Sequence, residues 1–359
     1  MAPPSVTHSM IPVAGLDIGF FSTKFTIGSA SGPSGSQILV DHFPSLAAKS
    51  AHKTLPHLPN AAALDGTIVT VGEVDYFVGK SVLSMMGAAG GARAASDNFC
   101  QTQTYYALLL GAFHYMAAHQ GGTGNLVIGT LTLGLPLNTV FTHGEFVKTL
   151  AEREHTIPSP GSPDRQIKVL VRNVIVVAQP QGAMVNYTSG LKRAVKADEQ
   201  ALVLDMGGGT FDWFICDGEF QPNYSLCGAA PIGALACASV ICERIQTGLK
   251  KDPRTLEKVD RALRNDEPTV RITGVDHEMA SYWPLAESLI DEVLEQMQKQ
   301  VGSLAGMDHI LLTGGGAGLL HRVVRKTLSD FALITVIDSD PVFSNVKGFY
   351  RISKMMSES

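Results

Sequence analysis

The sequence predicts a duplicated α/β architecture, two halves facing each other across a cleft. Three observations carry this. LVLDMGGGTFDWFICDG (residues 202–218) is an apolar strand ending in Asp205, then three glycines, then a second strand carrying Asp212. GLDIGFFSTKF (residues 15–25) repeats the order strand, aspartate, glycine turn, strand. Further strands mixed with helices follow each copy, the layout of two related α/β units with a site between them.

The elements follow in order. Residues 1–12 read as a disordered arm and not as a signal peptide, because no basic region precedes an apolar run. Strands are expected at 13–18, 24–27, 37–40 and 68–71, separated by glycine- and serine-rich turns. FCQTQTYYALLLGAFHYMAAH (99–119) has the apolar stripe of a helix. A buried strand at 125–133 ends at Gly134-Leu135-Pro136, and 141–153 returns as a helix. PSPGSP (158–163) reads as a loop, 167–171 and 174–178 as strands, and 182–192 as a helix. The pattern then restarts with strands at 201–205 and 211–216 and a helix across 234–249. The charged stretch 250–267 is expected on the surface, and 285–301 is an amphipathic helix whose 292–300 segment reads as solvated. A strand at 309–312, a glycine turn, a helix at 319–328 and a strand at 332–337 close the second half. The expected domains are 13–190, with 341–359 returning to it as a helix, and 191–340. No shorter repeat is visible, which excludes a solenoid.

Of the 359 residues, 45% are hydrophobic and 17% charged, enough for an ample core in two domains or one large one. A net charge of -5 argues against non-specific binding to a nucleic-acid backbone, so any link to DNA is expected to run through a partner. The most apolar run, 107–118, is too short to span a bilayer and carries His114. Five cysteines without CxxC spacing read as buried free thiols of a reducing cytoplasm. His42, His52 and His57 lack ligand spacing and read as surface, and Trp213 reads as core.

Four stretches carry chemistry. In the first, a strand delivers Asp17, and the turn Gly19, Phe20, Phe21, Ser22 exposes backbone N–H groups before Lys24; such a turn makes an anion nest. Alone, an aspartate and glycine at a hairpin are also an ordinary turn. In the second, Asp205 precedes Gly207, Gly208, Gly209 and Thr210, one glycine more than a tight hairpin needs, which favours an oxyanion. The third, Leu311–Gly318 in ILLTGGGAG, runs from a strand through Gly314, Gly315, Gly316 and Ala317 into a helix. It does not fit a dinucleotide fingerprint and suits a flat surface beside a nucleoside. In the fourth, a strand ends at Gln179 and Pro180 sits where a helix can begin, pointing Gln179 into the cleft. By itself this is also an ordinary strand-to-helix junction.

Jointly these motifs resemble the actin-like ATPase superfamily, which includes actin, MreB, the DnaK-type chaperones and sugar kinases. Residues 17–24 match its first phosphate motif, 205–212 the second, 311–318 the adenosine motif, 179–183 the first connecting segment and VKGFY (346–350) the closing helix. Within it, the likeness is to the ParM/StbA-like plasmid-segregation actins and their archaeal relatives, through DIGFFSTKF, Phe43-Pro44-Ser45, Tyr76-Phe77-Val78-Gly79, Gly134-Leu135-Pro136-Leu137 and VKGFY. Two departures stand out. Phe20 and Phe21 replace the small hydroxyl residues of actin and DnaK-type turns, and Gln179 replaces the glutamate of ParM-type sequences.

The resemblance implies an actin-like (ribonuclease H-like) two-domain fold with a nucleotide cleft between the domains. It implies ATP or ADP there, with Asp17 and Asp205 holding Mg2+ through water. Gln179 would orient the attacking water, and Lys24 would offset phosphate charge unless it is a solvated edge lysine. It implies a bacterial, cytoplasmic ATPase that polymerises head-to-tail with itself and meets plasmid DNA through a DNA-binding adaptor, without touching nucleic acid or membrane. The other readings are a non-polymerising ATPase, a small-molecule kinase and a DnaK-type chaperone; the last is expected to carry a substrate domain after the ATPase unit, and the sequence reaches Ser359 just after the closing helix.

Overall fold

The computed structural model describes residues 8–32, 35–49, 64–86, 96–122 and 124–358. His52, His57 and residues 1–7 of the expected arm lie outside these. The first half runs β1 (His8–Ile18), β2 (Ser22–Gly32), β3 (Gly35–Pro44), β4 (Ala48–Lys49), β5 (Thr67–Val71), β6 (Val74–Val78), α1 (Val82–Met85), α2 (Gln103–His119), β7 (Asn125–Leu135), α3 (Leu137–Ala151), β8 (Glu154–Ser159), β9 (Ser162–Ala178) and α4 (Gln179–Ser189). The second runs β10 (Gln200–Met206), β11 (Phe211–Asp217), β12 (Gly228–Ala230), α5 (Ala234–Ile245), α6 (Pro253–Arg264), β13 (Thr269–Ile272), β14 (Val275–Glu278), α7 (Trp283–Val301), β15 (His309–Thr313), α8 (Ala317–Thr327), β16 (Thr335–Ile337) and α9 (Ser344–Glu358).

The two main sheets repeat one plan. The first has the order β3-β2-β1-β7-β9-β8 and the second β12-β11-β10-β15-β16. In each, a central strand pairs antiparallel with the next strand of a hairpin and parallel with a later one: β1 with β2 and β7, β10 with β11 and β15. The central strands are buried without a break, from Val13 to Ile18 in β1 and from Ala201 to Met206 in β10. Strands covered on both faces must be apolar along their length. Each half has its own apolar core, Phe25, Phe113 and Leu131 in the first and Phe214, Ile241 and Leu312 in the second. All five cysteines are buried and free. Trp213 is core, and no helix among the described residues is long and apolar enough to cross a membrane.

Three expectations change. Residues 8–12 are not part of an arm: β1 starts at His8 because His8 to Ile11 pair with Asn125 to Ile128 of β7. Residues 158–163 are not a loop, since β8 and β9 close on a two-residue turn at Pro160-Gly161, and β9 continues unbroken to Ala178. Pro158 is tolerated there because β8 is the edge strand. The charged stretch 250–267 holds α6, whose Leu256, Val259, Ala262 and Leu263 are buried in the second core. Asp252 caps it by accepting from the Thr255 N–H at 3.0 Å, and Pro253 opens it.

The halves are joined where α9 returns across α4 and packs on β1 and β7. The approach is backbone to backbone. A Cβ on Gly348 would stand 1.8 Å from the Gly182 carbonyl oxygen, and one on Gly182 would stand 2.6 Å from that of Asn345. Phe349 fills the remaining space, 2.2 Å from where a Gly134 Cβ would fall. Gly348→Ala is therefore expected to cost about 3 kcal/mol of stability, as overpacking of a tight contact does. The check is a lower urea midpoint with an unchanged slope.

Candidate functional site

Both hairpins open onto one cleft, and their aspartates sit at the same register. Asp17 lies directly opposite Lys24, and Asp205 directly opposite Asp212. Directly opposed residues in an antiparallel pair share a face and interact. The duplicated positions thus carry inverted charge, a cation facing one aspartate and a carboxylate facing the other.

Asp17 is saturated. Lys24 Nζ lies 2.8 Å from its Oδ2, and Gln179 Nε2 donates to its Oδ1 at 2.8 Å. A carboxylate only accepts, so the Gln179 amide must turn its nitrogen to Asp17, which leaves Oε1 as the free acceptor end. Gln179 is the first residue of α4, and Pro180 behind it needs no donor there.

Asp205 is held differently. Asn345 Nδ2, from the first turn of α9, donates to its Oδ2 at 2.7 Å. Its Oδ1, and Oδ1 of Asn345, are buried and meet no donor among the described residues. Burial raises the Asp205 carboxyl to about 6, against the opposing pull of Asn345 and Lys24. Burial and then the Asp205 charge push Asp212 up to about 7, although the Leu137 N–H donates to Asp212 Oδ1 at 2.9 Å and Thr210 also bonds to it. The Leu137 bond crosses between the halves, from β11 to the start of α3.

Buried acceptors without donors are uncommon and ask for a partner. Two of them beside a buried carboxylate suit a hydrated hard cation, which binds through one or two carboxylates and keeps its waters. The described residues contain no group of three or more His, Cys, Asp or Glu that would cage a metal directly. Asp205 and Asn345 fit such an ion. Asp17 fits it only once Lys24 swings aside.

The glycine turns divide their work. The Gly207 N–H is used inside the hairpin, donating to Thr210 O at 2.9 Å, so it presents nothing to the cleft. The first amides of α5, Ala234 and Leu235, brace the turn by donating to the carbonyls of Gly207 and Gly208 at 3.0 and 2.9 Å. That leaves the Gly208 and Gly209 amides without a partner among the described residues. Gly314 has a positive φ of 86°, and a Cβ there would fall 2.3 Å from Asp205 Oδ1. Of the residues expected at the site, all line the cleft except Gly316 and Ala317. The Gly316 N–H donates to Met206 O at 2.9 Å, and Ala317 is buried beneath the turn.

Phe20 and Phe21 diverge. Phe20 stacks on Phe99 with centroids 5.1 Å apart. Phe21 crosses to the second half, where it packs on that core and lies under Arg264, 4.9 Å from the guanidinium to the ring centre. Arg264 is held by Asp260 at 2.6 Å, and α6 turns Glu257, Asp260 and Arg264 to the cleft wall. Neither this wall nor Asn345 was expected; the i, i+3, i+7 spacing on α6 was the available signal for the first. Arg254, at the start of α6, reaches the other half, donating to Leu83 O at 3.2 and 3.3 Å and to Met86 O at 3.3 Å. It caps the end of α1, whose last turn has no basic residue of its own.

Two family models match the chain: "actin like proteins N terminal domain" over residues 15–182 and "plasmid segregation protein ParM, C-terminal" over 195–352. Among solved structures, the archaeal actin homolog Ta0583 is similar at a TM-score of 0.73 and 18% identity, covering 96% of this chain and 100% of its own. Ta0583 has also been solved in complex with ADP. The pSK41 ParM protein is similar at 0.65 and 18%, covering 98% of each chain. A subunit of a 15-stranded ParM filament from Clostridium botulinum is similar at 0.71 and 15%, covering 96% of this chain and 100% of its own. No protein of curated function matches in sequence. With paired hairpins facing one cleft, the molecule has the two-domain actin-like fold. Within that class, the chain belongs to the ParM-type actin-like proteins.

An acid whose value is raised by folding stabilises the fold below its ordinary value and loses that contribution as pH rises through the raised one. For Asp212 the window runs from 3.8 to about 7. Urea midpoints of the ligand-free protein are expected to fall as pH rises from about 4 to about 7. In Asp212→Asn, which keeps an acceptor for Leu137, the same series is expected to be flatter.

Proposed function

We propose that this protein is an ATPase that forms nucleotide-controlled filaments in the cytoplasm and moves plasmid DNA through a DNA-binding adaptor. Its two working units are residues 13–190, extended back to His8 and joined by the closing helix of 341–359, and residues 191–340. The observation that carries the reading is the Gln179 amide, pinned through its nitrogen to Asp17 and lining one cleft with Asp205, Gly208 and Gly209. The ADP complex of Ta0583 and the ParM filament support nucleotide binding and self-assembly by likeness. Head-to-tail addition is a heterologous contact that does not close, so it makes a polymer.

Phosphoryl transfer is mostly positioning and charge neutralisation. Bound Mg2+ would supply charge for the β- and γ-phosphate oxygens. Asp205 and Asn345 would hold it, and the Gly208 and Gly209 amides with Thr210 would hold phosphate oxygens. Lys24 would offset phosphate charge, and Asp17 would then be available to help hold the cation. Gln179 Oε1 orients the attacking water; a neutral amide does not act as base, so hydrolysis is slow and suits a timer. Arg264 and Glu257 stand on the wall where the nucleoside would lie.

Two outcomes test this. Gln179→Ala is expected to bind ATP within about twofold of wild type and to lose turnover about a hundredfold, as loss of a water-positioning group does. Equal turnover would remove Gln179 from the chemistry. Sedimentation and electron microscopy with ATP, ADP and a non-hydrolysable analogue are expected to give polymer with the triphosphates. Nucleotide binding without polymer in every condition would leave the non-polymerising ATPase.

A further inference from the structure

Gln179 also lines a second, partly open pocket of about 20 Å³, shared with Phe20, Phe99, Tyr105, Thr139 and the exposed Ser96 and Asp97. That is room for a single water. The Tyr105 side chain is fully buried in this wall, and its hydroxyl has no partner among the described residues. The ring cannot turn elsewhere for one. Thr102 Oγ1 accepts from the Tyr105 N–H at 3.1 Å and fixes the start of α2, and Phe99 stands edge-on to the ring at 5.5 Å. Burial pushes the phenol up, and the nearby Cys100 and Asp17 push it further, so it stays protonated and acts as a donor.

Two residues that line the same space, Gln179 and Thr139, carry acceptors. No described residue donates to Gln179 Oε1, while its nitrogen is committed to Asp17. Thr139 Oγ1 gives its own proton to Pro136 O at 3.1 Å and keeps a lone pair. A buried hydroxyl donor, an amide oxygen and a hydroxyl oxygen around a water-sized space are the three partners an internal water needs.

We infer that a structural water occupies this cavity, accepting from Tyr105 and donating to Gln179 Oε1 and Thr139 Oγ1, and that Tyr105 is thereby a positioning residue for Gln179. This rests on the reading of Gln179 as the group that orients the attacking water. Asp17 fixes one end of the amide and the water fixes the other. One lone pair of Oε1 remains for the cleft, held in a single direction. Without the Tyr105 hydroxyl the amide is tethered at its nitrogen alone, and Oε1 sweeps across several orientations.

Tyr105→Phe removes the hydroxyl and keeps the shape. Crystal structures of the full chain are expected to show an ordered water within hydrogen-bond distance of the wild-type Tyr105 oxygen and none in the variant. In single-turnover hydrolysis of Mg-ATP, the variant is expected to be about tenfold slower, with ATP affinity unchanged. Adding Tyr105→Phe to Gln179→Ala is expected to slow the reaction no further, which a merely structural role would not produce. A dry cavity in the wild type, equal hydrolysis in the two proteins, or additive losses in the double variant would overturn the inference. If the wild type binds ATP but hydrolyses none, the ATPase reading falls and the positioning role falls with it, while the crystal structure still decides the water.

Discussion

Helix α9 lies on α4 because neither Gly182 nor Gly348 has a side chain, and the rest of the molecule is arranged around that contact. Two neighbouring residues make the consequence concrete. The first residue of α4 is Gln179, whose amide holds Asp17, and the second residue of α9 is Asn345, whose amide holds Asp205. Each helix therefore orients the carboxylate of a different hairpin. Had the helices been held further apart by a methyl group, the two aspartates would no longer be set against one cleft by the same rigid pair. Packing and chemistry meet in a few ångströms of backbone.

The two hairpins share geometry but not electrostatics. Lys24 opposite Asp17 makes one jaw nearly neutral, whereas Asp212 opposite Asp205 stacks two carboxylates in a buried place. Like charges so placed raise each other's cost of ionisation. The second jaw thus carries carboxylate charge that no cation of the hairpin opposes, while the first carries its own counter-charge. A duplicated fold has in this way become an asymmetric site without altering the register of either copy.

Features written locally in the sequence were legible. The central strands are unbroken apolar runs, and the glycine turns that end them announce exposed backbone before any partner is known. Asn345 was not legible, because its partner Asp205 is 140 residues away and nothing beside it marks the pairing. Helix α6 was hidden for another reason: its apolar stripe is narrow, and the charges on its other faces dominate the local composition. The run PSPGSP reads as loop because proline and glycine punctuate most chains, yet an edge strand tolerates a proline that an inner strand would not. Phe20 and Phe21 look like one feature in the sequence and act as two, since the bend between β1 and β2 sends one ring to Phe99 and the other to the second half.

Arg254 reaches from α6 to the end of α1 and so ties the two halves together beyond the cleft-lining residues. Its guanidinium is exposed, and solvent competes for each of those bonds. A tie of this kind joins the halves through bonds that water can replace at small net cost. It is a drawstring more than a lock.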